Sequence, residues 1–142
     1  MSKILIFNGP NLNLLGIREP EVYGKATLDD IIKALKKRFK AVTFETFQSN
    51  SEGALIDRLH QARGKVAGVV FNPGAFTHTS IALYDAIKAV GLPVIEVHLS
   101  LPEARESFRH HSFITPACIG KIAGLGSIGY QLAVEALLAR EG

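Results

Sequence analysis

The sequence lacks the features that mark several protein classes. Cys118 is the one cysteine among 142 residues, and tryptophan is absent. A lone cysteine excludes an internal disulfide and favours a reducing compartment. No apolar run reaches the ~18 residues of a membrane-spanning helix, and the first apolar stretch is too short for a signal peptide. We therefore expect a cytoplasmic protein that makes no membrane contact.

Blocks of one charge are also missing. Sixteen lysines and arginines are interspersed with thirteen acidic residues, which gives a net charge of +3. This pattern excludes a basic nucleic-acid tail but not a local anion site, so we predict no nucleic-acid partner. Hydrophobic residues at 47% and charged residues at 20% are typical of a globular chain. The length predicts one domain over residues 1–142.

Metal and nucleotide motifs are weak. His110 and His111 are adjacent and would point apart, and the sequence has no HxxxH or CxxC pair, so we predict no metal site. Residues 124–129 match G-x-G-x-x-G, but the strand with an acidic residue that the dinucleotide motif requires does not follow. We interpret these glycines as a tight turn with close helix packing, and we predict no cofactor. Cys118 has apolar neighbours in a predicted strand and fits a small buried hydrophobe better than a nucleophile.

Strand-like apolar runs alternate with helical patterns. Helices are predicted after the first, second, third and fifth strands, and the clearest start is the capping-box spacing of Thr27 and Asp30. This alternation indicates an α/β fold with a parallel sheet and right-handed crossovers. Five strands suit the doubly wound order 2-1-3-4-5, in which ligands bind beyond the carboxyl ends of strands 1 and 3. The predicted strands span residues 3–8, 42–48, 66–71, 93–99 and 116–123, and the last helix spans 127–140.

Polar side chains follow three of these strands. Asn11 comes after the first strand, Asn72 and His78 after the third, and His98 near the end of the fourth. Each residue alone fits a structural role, such as a turn residue, a helix cap or a core histidine. Their agreement at one edge of the sheet favours a functional site. Glu96 shares a strand face with His98, where a carboxylate either forms a structural ion pair or fixes the tautomer of a general acid.

The segment 9–25 is long for a β–α connection, which usually has about 2–6 residues. It carries Arg18 and Tyr23, and Gly16 and Gly24 are candidate hinges. Such a segment over an active edge is typical of a lid, and an arginine beside a phenol favours the phenolate. The alternative is that Arg18 pairs with an acidic neighbour in solvent while Tyr23 packs on the surface.

Several blocks of sequence carry these residues, in a fixed order along the chain. They are FNGPNLNLLG (7–16), REP (18–20), YG (23–24), QSNSEG (48–53), NPGAFTHTS (72–80), EVHLS (96–100), RE (105–106), FRHHS (108–112) and GLG (124–126). Joined in this order they resemble the type II 3-dehydroquinate dehydratases, and the resemblance covers the whole chain. Members of that family usually carry asparagine where Leu101 stands here, so we expect a local difference in this loop.

The resemblance implies a flavodoxin-like subunit that dehydrates 3-dehydroquinate to 3-dehydroshikimate by anti elimination through an enolate. The setting is the shikimate pathway or quinate breakdown. It implies that Tyr23 is the proton acceptor, that Arg18 stabilises its anion, and that His98 is the proton donor, next to Glu96. Asn11 would lie beside the reacting carbonyl. Substrate contacts are implied for Asn72, His78, Asp85, Arg109, and the backbone amides of Leu99 and Ser100.

Asp85 bears on assembly. It follows His78 by seven residues on one predicted helix, so the two lie about 10 Å apart along the axis. If both contact ligand, Asp85 reaches a neighbouring subunit more easily than its own site. The resemblance implies a homododecamer, a tetramer of trimers, in which this aspartate crosses an interface.

Two other functions remain open on the residues alone. A non-catalytic module could bind a small anion at the same edge. A flavin or nucleotide enzyme on this fold is disfavoured because no phosphate loop is present.

Overall fold

A computed structural model describes residues 2–141 and contains one sheet of five parallel strands. The strand order is β2-β1-β3-β4-β5, so the predicted α/β topology is confirmed. The strands are β1 (Lys3–Asn8), β2 (Thr43–Gln48), β3 (Gly68–Asn72), β4 (Val94–His98) and β5 (Gly120–Ala123). The helices are α1 (Pro20–Tyr23), α2 (Leu28–Arg38), α3 (Glu52–Ala62), α4 (Ile81–Val90) and α5 (Ile128–Glu141).

The central strands are apolar on both faces because helices cover both. Ile4 and Ile6 of β1 pack with α2 and α5 in one core, whereas Leu5 and Phe7 pack with α3 and α4 in a second. Successive side chains of a strand point to opposite faces, so one run of residues serves both cores. Within residues 2–141, no helix has the length and apolar character needed to cross a membrane.

Hydroxyl side chains define where three helices begin. Thr27 and Asp30 form the predicted capping box at the start of α2, each bonding the other's backbone N–H. Ser51 accepts from the Ala54 N–H at α3, and Ser80 accepts from the Leu83 N–H at α4. These caps satisfy helix N–H groups that have no partner within the helix.

The fifth strand is shorter than predicted. The prediction of 116–123 is wrong at its start, because Thr115–Ala117 forms a 3-10 turn and β5 begins only at Gly120. Pro116 has no N–H to give to a strand ladder, and the Thr115 hydroxyl turns inward to the carboxylate of Glu96. Cys118 therefore lies at the end of this turn and not in mid-strand.

The loops after β1 and β3 cross in close contact. The Gly9 N–H donates to the carbonyl oxygen of Asn72 at 2.8 Å. A Cβ atom on Gly9 would lie 2.4 Å from the carbonyl oxygen of Pro73, closer than packing allows. Glycine at this position lets the loops after β1 and β3 make contact at the point where the strand order reverses.

We expect Gly9→Ala to lower the free energy of unfolding by about 2–3 kcal/mol, because the new methyl group overpacks rigid backbone. The measurement is urea denaturation followed by circular dichroism. The matched control is Gly53→Ala on α3, where a Cβ would meet only the Ser51 hydroxyl at 3.9 Å. The control should be neutral or stabilising by up to about 1 kcal/mol. Equal stability of the two variants would contradict the close contact.

Candidate active site

A cavity of about 250 Å³ opens beyond the carboxyl ends of β1, β3 and β4. It lies where the strand order reverses, between β1 and β3, which is the position at which doubly wound folds bind ligands. Leu12, Gly74, Ala75, Pro102 and Arg105 contribute to its wall. Nine of the predicted site residues also line it: Asn11, Arg18, Tyr23, Asn72, His78, His98, Leu99, Ser100 and Arg109.

The segment 9–25 brings Arg18 and Tyr23 to this cavity. Gly16 and Gly24 adopt φ values of 91° and 85°, which are left-handed and favour glycine. The guanidinium carbon of Arg18 lies 4.3 Å from the centroid of the Tyr23 ring. The Arg18 Nε atom also lies 3.7 Å from a carboxylate oxygen of Glu19. Both sequence alternatives are therefore partly present: Arg18 has an acidic neighbour, and it also covers the phenol.

Arg105 is a site residue that the sequence-based assignment missed. Its Nη2 atom donates to the Tyr23 hydroxyl at 2.8 Å, and its Nη1 atom donates to the Ser100 hydroxyl at 3.1 Å. The guanidinium carbon lies 5.1 Å from the Tyr23 ring centroid. Residues 105–106 belong to a block that carries the family resemblance, but nothing in their spacing indicates a contact with the lid. The Tyr23 oxygen thus accepts a hydrogen bond from one cation while a second covers its ring.

At the cavity wall, His98 contacts the buried carboxylate of Glu96, which lies behind it. The Nε2 atom of His98 lies 2.5 Å from a Glu96 oxygen, so Nδ1 is the ring nitrogen left for a ligand. Glu96 does not line the cavity and also accepts hydrogen bonds from the hydroxyls of Thr77 and Thr115. Burial would raise its pKa, but the hydrogen bond and charge of His98 and the two hydroxyls outweigh burial and hold the pKa of Glu96 at about 2. The carboxylate is ionised at neutral pH.

His78 is held as a neutral hydrogen-bonding group. Burial lowers the pKa of its imidazole below the usual 6.5. Its Nδ1 atom lies 2.8 Å from the carbonyl oxygen of His111, which can accept a hydrogen bond but cannot donate one. The tautomer with hydrogen on Nδ1 follows, and Nε2 is then an acceptor.

The asparagines of the site are held by polar contacts. Asn11 adopts φ 69°, and its backbone N–H donates to the side-chain oxygen of Asn50 at 3.0 Å. Asn72 ends β3, and its side-chain oxygen accepts from the Gly74 N–H at 3.1 Å. These contacts hold the backbone of Asn11 and the side-chain amide of Asn72 at the cavity wall.

Arg109 supplies positive charge to the cavity wall. Its Nε atom donates to Glu106 at 3.2 Å, and its guanidinium carbon lies 5.0 Å from the ring centroid of Phe108. Asp85, in contrast, is exposed on α4 and does not line the cavity. Of the predicted site residues, two do not line the cavity. Asp85 is exposed on α4, whereas Glu96 is buried behind His98.

The weaker motifs have structural roles. Gly124 and Gly126 adopt φ values of 86° and 69° in a turn before α5, and Gly129 packs against Val97. The interpretation as a tight turn with close helix packing is confirmed. Burial raises the pKa of Cys118 to about 12, which keeps its thiol protonated. Within residues 2–141, no three His, Cys, Asp or Glu side chains are grouped to hold a metal ion.

Known proteins resemble this chain over nearly its whole length. Residues 2–138 match the family model described as dehydroquinase class II. The chain is 56% identical to 3-dehydroquinate dehydratase 1 of Corynebacterium efficiens over 137 residues, which cover 95% of this chain and 91% of that protein. It is 55% identical to a catabolic 3-dehydroquinase of Aspergillus clavatus, covering 93% of this chain and 89% of the relative.

Solved structures show the same likeness. The type II dehydroquinase from Butyrivibrio crossotus superposes with a TM-score of 0.94 at 43% identity, and the match covers 96% of this chain and 97% of that one. The fold and the cavity define a flavodoxin-like α/β protein with its site at the carboxyl edge of the sheet. The chain belongs to the class II dehydroquinase family.

The buried charge of Glu96 predicts how stability responds to acid. Because its folded pKa is depressed, the carboxylate contributes stability above its ordinary value of 4.5, and this contribution is lost as the pH falls toward about 2. We expect the free energy of unfolding to fall less steeply over that range in Glu96→Gln than in the parent. Urea denaturation at a series of pH values measures the slopes.

The matched control for this series is Asp57→Asn, which changes an exposed carboxylate on α3. Its acid slope should equal that of the parent. An unchanged slope in Glu96→Gln would contradict an ionised carboxylate at this position.

Proposed function

We propose that this protein is a 3-dehydroquinate dehydratase that eliminates water from 3-dehydroquinate to give 3-dehydroshikimate. The observation that carries the proposal is the setting of Tyr23, whose oxygen accepts a hydrogen bond from Arg105 while Arg18 covers its ring, at the same cavity as His98. Family membership supports the same reaction, since its relatives are named 3-dehydroquinate dehydratase or catabolic 3-dehydroquinase. The proposal therefore covers either the shikimate pathway or quinate breakdown.

The first step needs a strong base. A hydrogen on the carbon next to a ketone is only weakly acidic, so its removal requires a base stronger than imidazole and stabilisation of the enolate. The guanidinium groups of Arg18 and Arg105 lie against the Tyr23 phenol, where their positive charge stabilises the negative oxygen of the proposed base. The phenolate takes the proton, the C–H electron pair forms the enolate, and Tyr23 becomes neutral. In the proposed reaction, Asn11 at the cavity wall binds a water molecule beside the substrate carbonyl.

The second step needs an acid. The enolate re-forms the carbonyl and pushes electrons toward the carbon that bears the departing hydroxyl, whose C–O bond breaks. His98 gives its proton to that oxygen, so water leaves and a conjugated enone remains. The Glu96 carboxylate contacts Nε2 of His98 and fixes the orientation of the ring, with Nδ1 directed to the ligand side. Transfer of the proton from Tyr23 back to His98 through solvent completes the cycle.

Binding groups surround the two proton-transfer residues. Arg109 offers positive charge to an anionic substrate, and Asn72 and His78 offer an amide and a neutral imidazole to its hydroxyls. The backbone amides of Leu99 and Ser100 are proposed to receive the carboxylate. Arg105 donates one hydrogen bond to the Ser100 hydroxyl and another to the Tyr23 oxygen, so it connects the proposed carboxylate-binding residues with the base.

A non-catalytic anion-binding module is the alternative from a different class. It would use Arg109 and the strand-end amides but would have no use for a phenol held by two cations. Turnover of 3-dehydroquinate by the parent protein separates the two, since the enone product absorbs in the ultraviolet.

We expect Tyr23→Phe to lower kcat by about 1,000-fold, the size of a general-base contribution, while calorimetry still detects substrate binding. Arg105→Met should lower kcat as well, because it removes the hydrogen bond to the phenol oxygen. The enone absorbance at fixed enzyme concentration gives both rates.

Arg140→Met is the matched control for Arg105→Met, because Arg140 is exposed at the end of α5 and lies away from the cavity. It should leave kcat unchanged. Parent-like turnover in Tyr23→Phe would contradict the assignment of the base.

We further propose that the active form is a homo-oligomer, a dodecamer built as a tetramer of trimers. Asp85 is exposed and does not line the cavity of its own chain. A groove lies at the start of α4. It is lined by the side chains of Ile81 and Tyr84 from that helix and by those of Phe113 and Pro116. A subunit interface at this groove would cover them and carry Asp85 into a neighbouring site.

Mixed oligomers test this assembly. Tyr23→Phe and Asp85→Ala should each be impaired, the second by about 10-fold or more through loss of one charged contact. If Asp85 serves a neighbour, unfolding and refolding an equal mixture should restore parental activity to about a quarter of the sites, by random assembly of a symmetric interface. A mixture no more active than the average of its components, or an active monomer on gel filtration, would contradict the proposal.

A further inference from the structure

A buried tyrosine behind the cavity is not used by the proposed reaction. Tyr130 lies on α5, and none of its surface is exposed. Its hydroxyl lies between two asparagines that are paired across neighbouring strands, Asn8 of β1 and Asn72 of β3. Asn72 lines the cavity, whereas neither Tyr130 nor Asn8 does.

The direction of each hydrogen bond follows from one backbone group. The Gly74 N–H can only donate, and it lies 3.1 Å from the Oδ1 atom of Asn72. This contact fixes which end of the Asn72 amide is oxygen, so its Nδ2 atom faces Tyr130 at 3.0 Å. An amide nitrogen can only donate, and the Tyr130 oxygen is therefore the acceptor.

The Tyr130 hydrogen then has one destination. It is donated to the Oδ1 atom of Asn8, 2.5 Å away. Burial raises the pKa of Tyr130 above its ordinary value, so the hydroxyl keeps its hydrogen. The hydrogen bonds thus run from Gly74 to Asn72 and from Asn72 through Tyr130 to Asn8.

We propose that Tyr130 is a positioning residue that sets the donor face of the Asn72 amide toward the ligand. Asn72 Nδ2 carries two hydrogens and Tyr130 accepts one, which leaves the second for an oxygen acceptor in the cavity. A hydroxyl or carbonyl oxygen of the substrate fits this donor. The inference rests on the proposed function for the identity of that oxygen, but the direction of the hydrogen bonds does not depend on it.

A double-mutant cycle tests whether Tyr130 acts through Asn72. Tyr130→Phe keeps the ring and removes the hydroxyl, and we expect it to lower kcat/KM by about 10-fold, the size of one lost hydrogen bond. In the Asn72→Ala background the same change should have no further effect on kcat/KM. Multiplication of the two losses would overturn the proposal, since it would show that Tyr130 affects activity by another route.

The control separates positioning from general loss of stability. Val90→Ala removes buried carbon from the second core at the far end of α4, away from the cavity. It should lower the melting temperature without changing kcat/KM. If Tyr130→Phe, with a lowered melting temperature, also keeps the kcat/KM of the parent, the positioning role is overturned.

A readout without catalysis covers the cases in which Tyr130→Phe does not fold or the parent has no turnover. Neutron diffraction from deuterium-exchanged crystals of the parent locates the hydrogen on the Tyr130 oxygen. Deuterium directed at Asn8 Oδ1 supports the proposal, and deuterium directed at Asn72 overturns it. Absence of turnover in the parent would count against the proposed function alone.

Discussion

The buried charge of Glu96 is the constraint around which the site is organised. An ionised carboxylate away from water is costly unless donors surround it, and the donors here come from separate parts of the chain. His98 belongs to the same strand, Thr77 to the turn after β3, and Thr115 to the long connection before β5. One carboxylate thereby joins β4 to the loops on either side and sets the imidazole at the cavity wall.

The proposed base, Tyr23, is held near the surface of the protein and not in its core. Tyr23 stands on a one-turn helix in a loop, and no residue of that helix is buried. Its position depends on cations: Arg18 from its own loop and Arg105 from the connection after β4. The acid of the proposed reaction thus rests on a rigid, dry support, whereas the base is held by charged groups that also meet solvent and ligand.

The fold and part of the site could be predicted from local patterns in the sequence, whereas Asp85, Leu99, Ser100 and Arg109 were implied only by the family resemblance. Apolar runs and cap residues mark the elements, and parallel strands bring their carboxyl ends to one edge, so Asn72 and His98 had to meet. The start of β5 could not be predicted from apolar content, since Pro116 and the inward Thr115 hydroxyl decide it. Arg105 escaped assignment because its partner is 82 residues away, in a loop whose path depends on tertiary contacts.

The network behind Asn72 also has a consequence for how the protein is made. A ribosome delivers the chain from its amino end, so the two asparagine-bearing strands emerge long before α5. Until Tyr130 appears, the paired amides lack the hydroxyl between them, and the core that α5 covers is open on that side. The wall that Asn72 contributes to is therefore completed only when α5 docks onto the sheet.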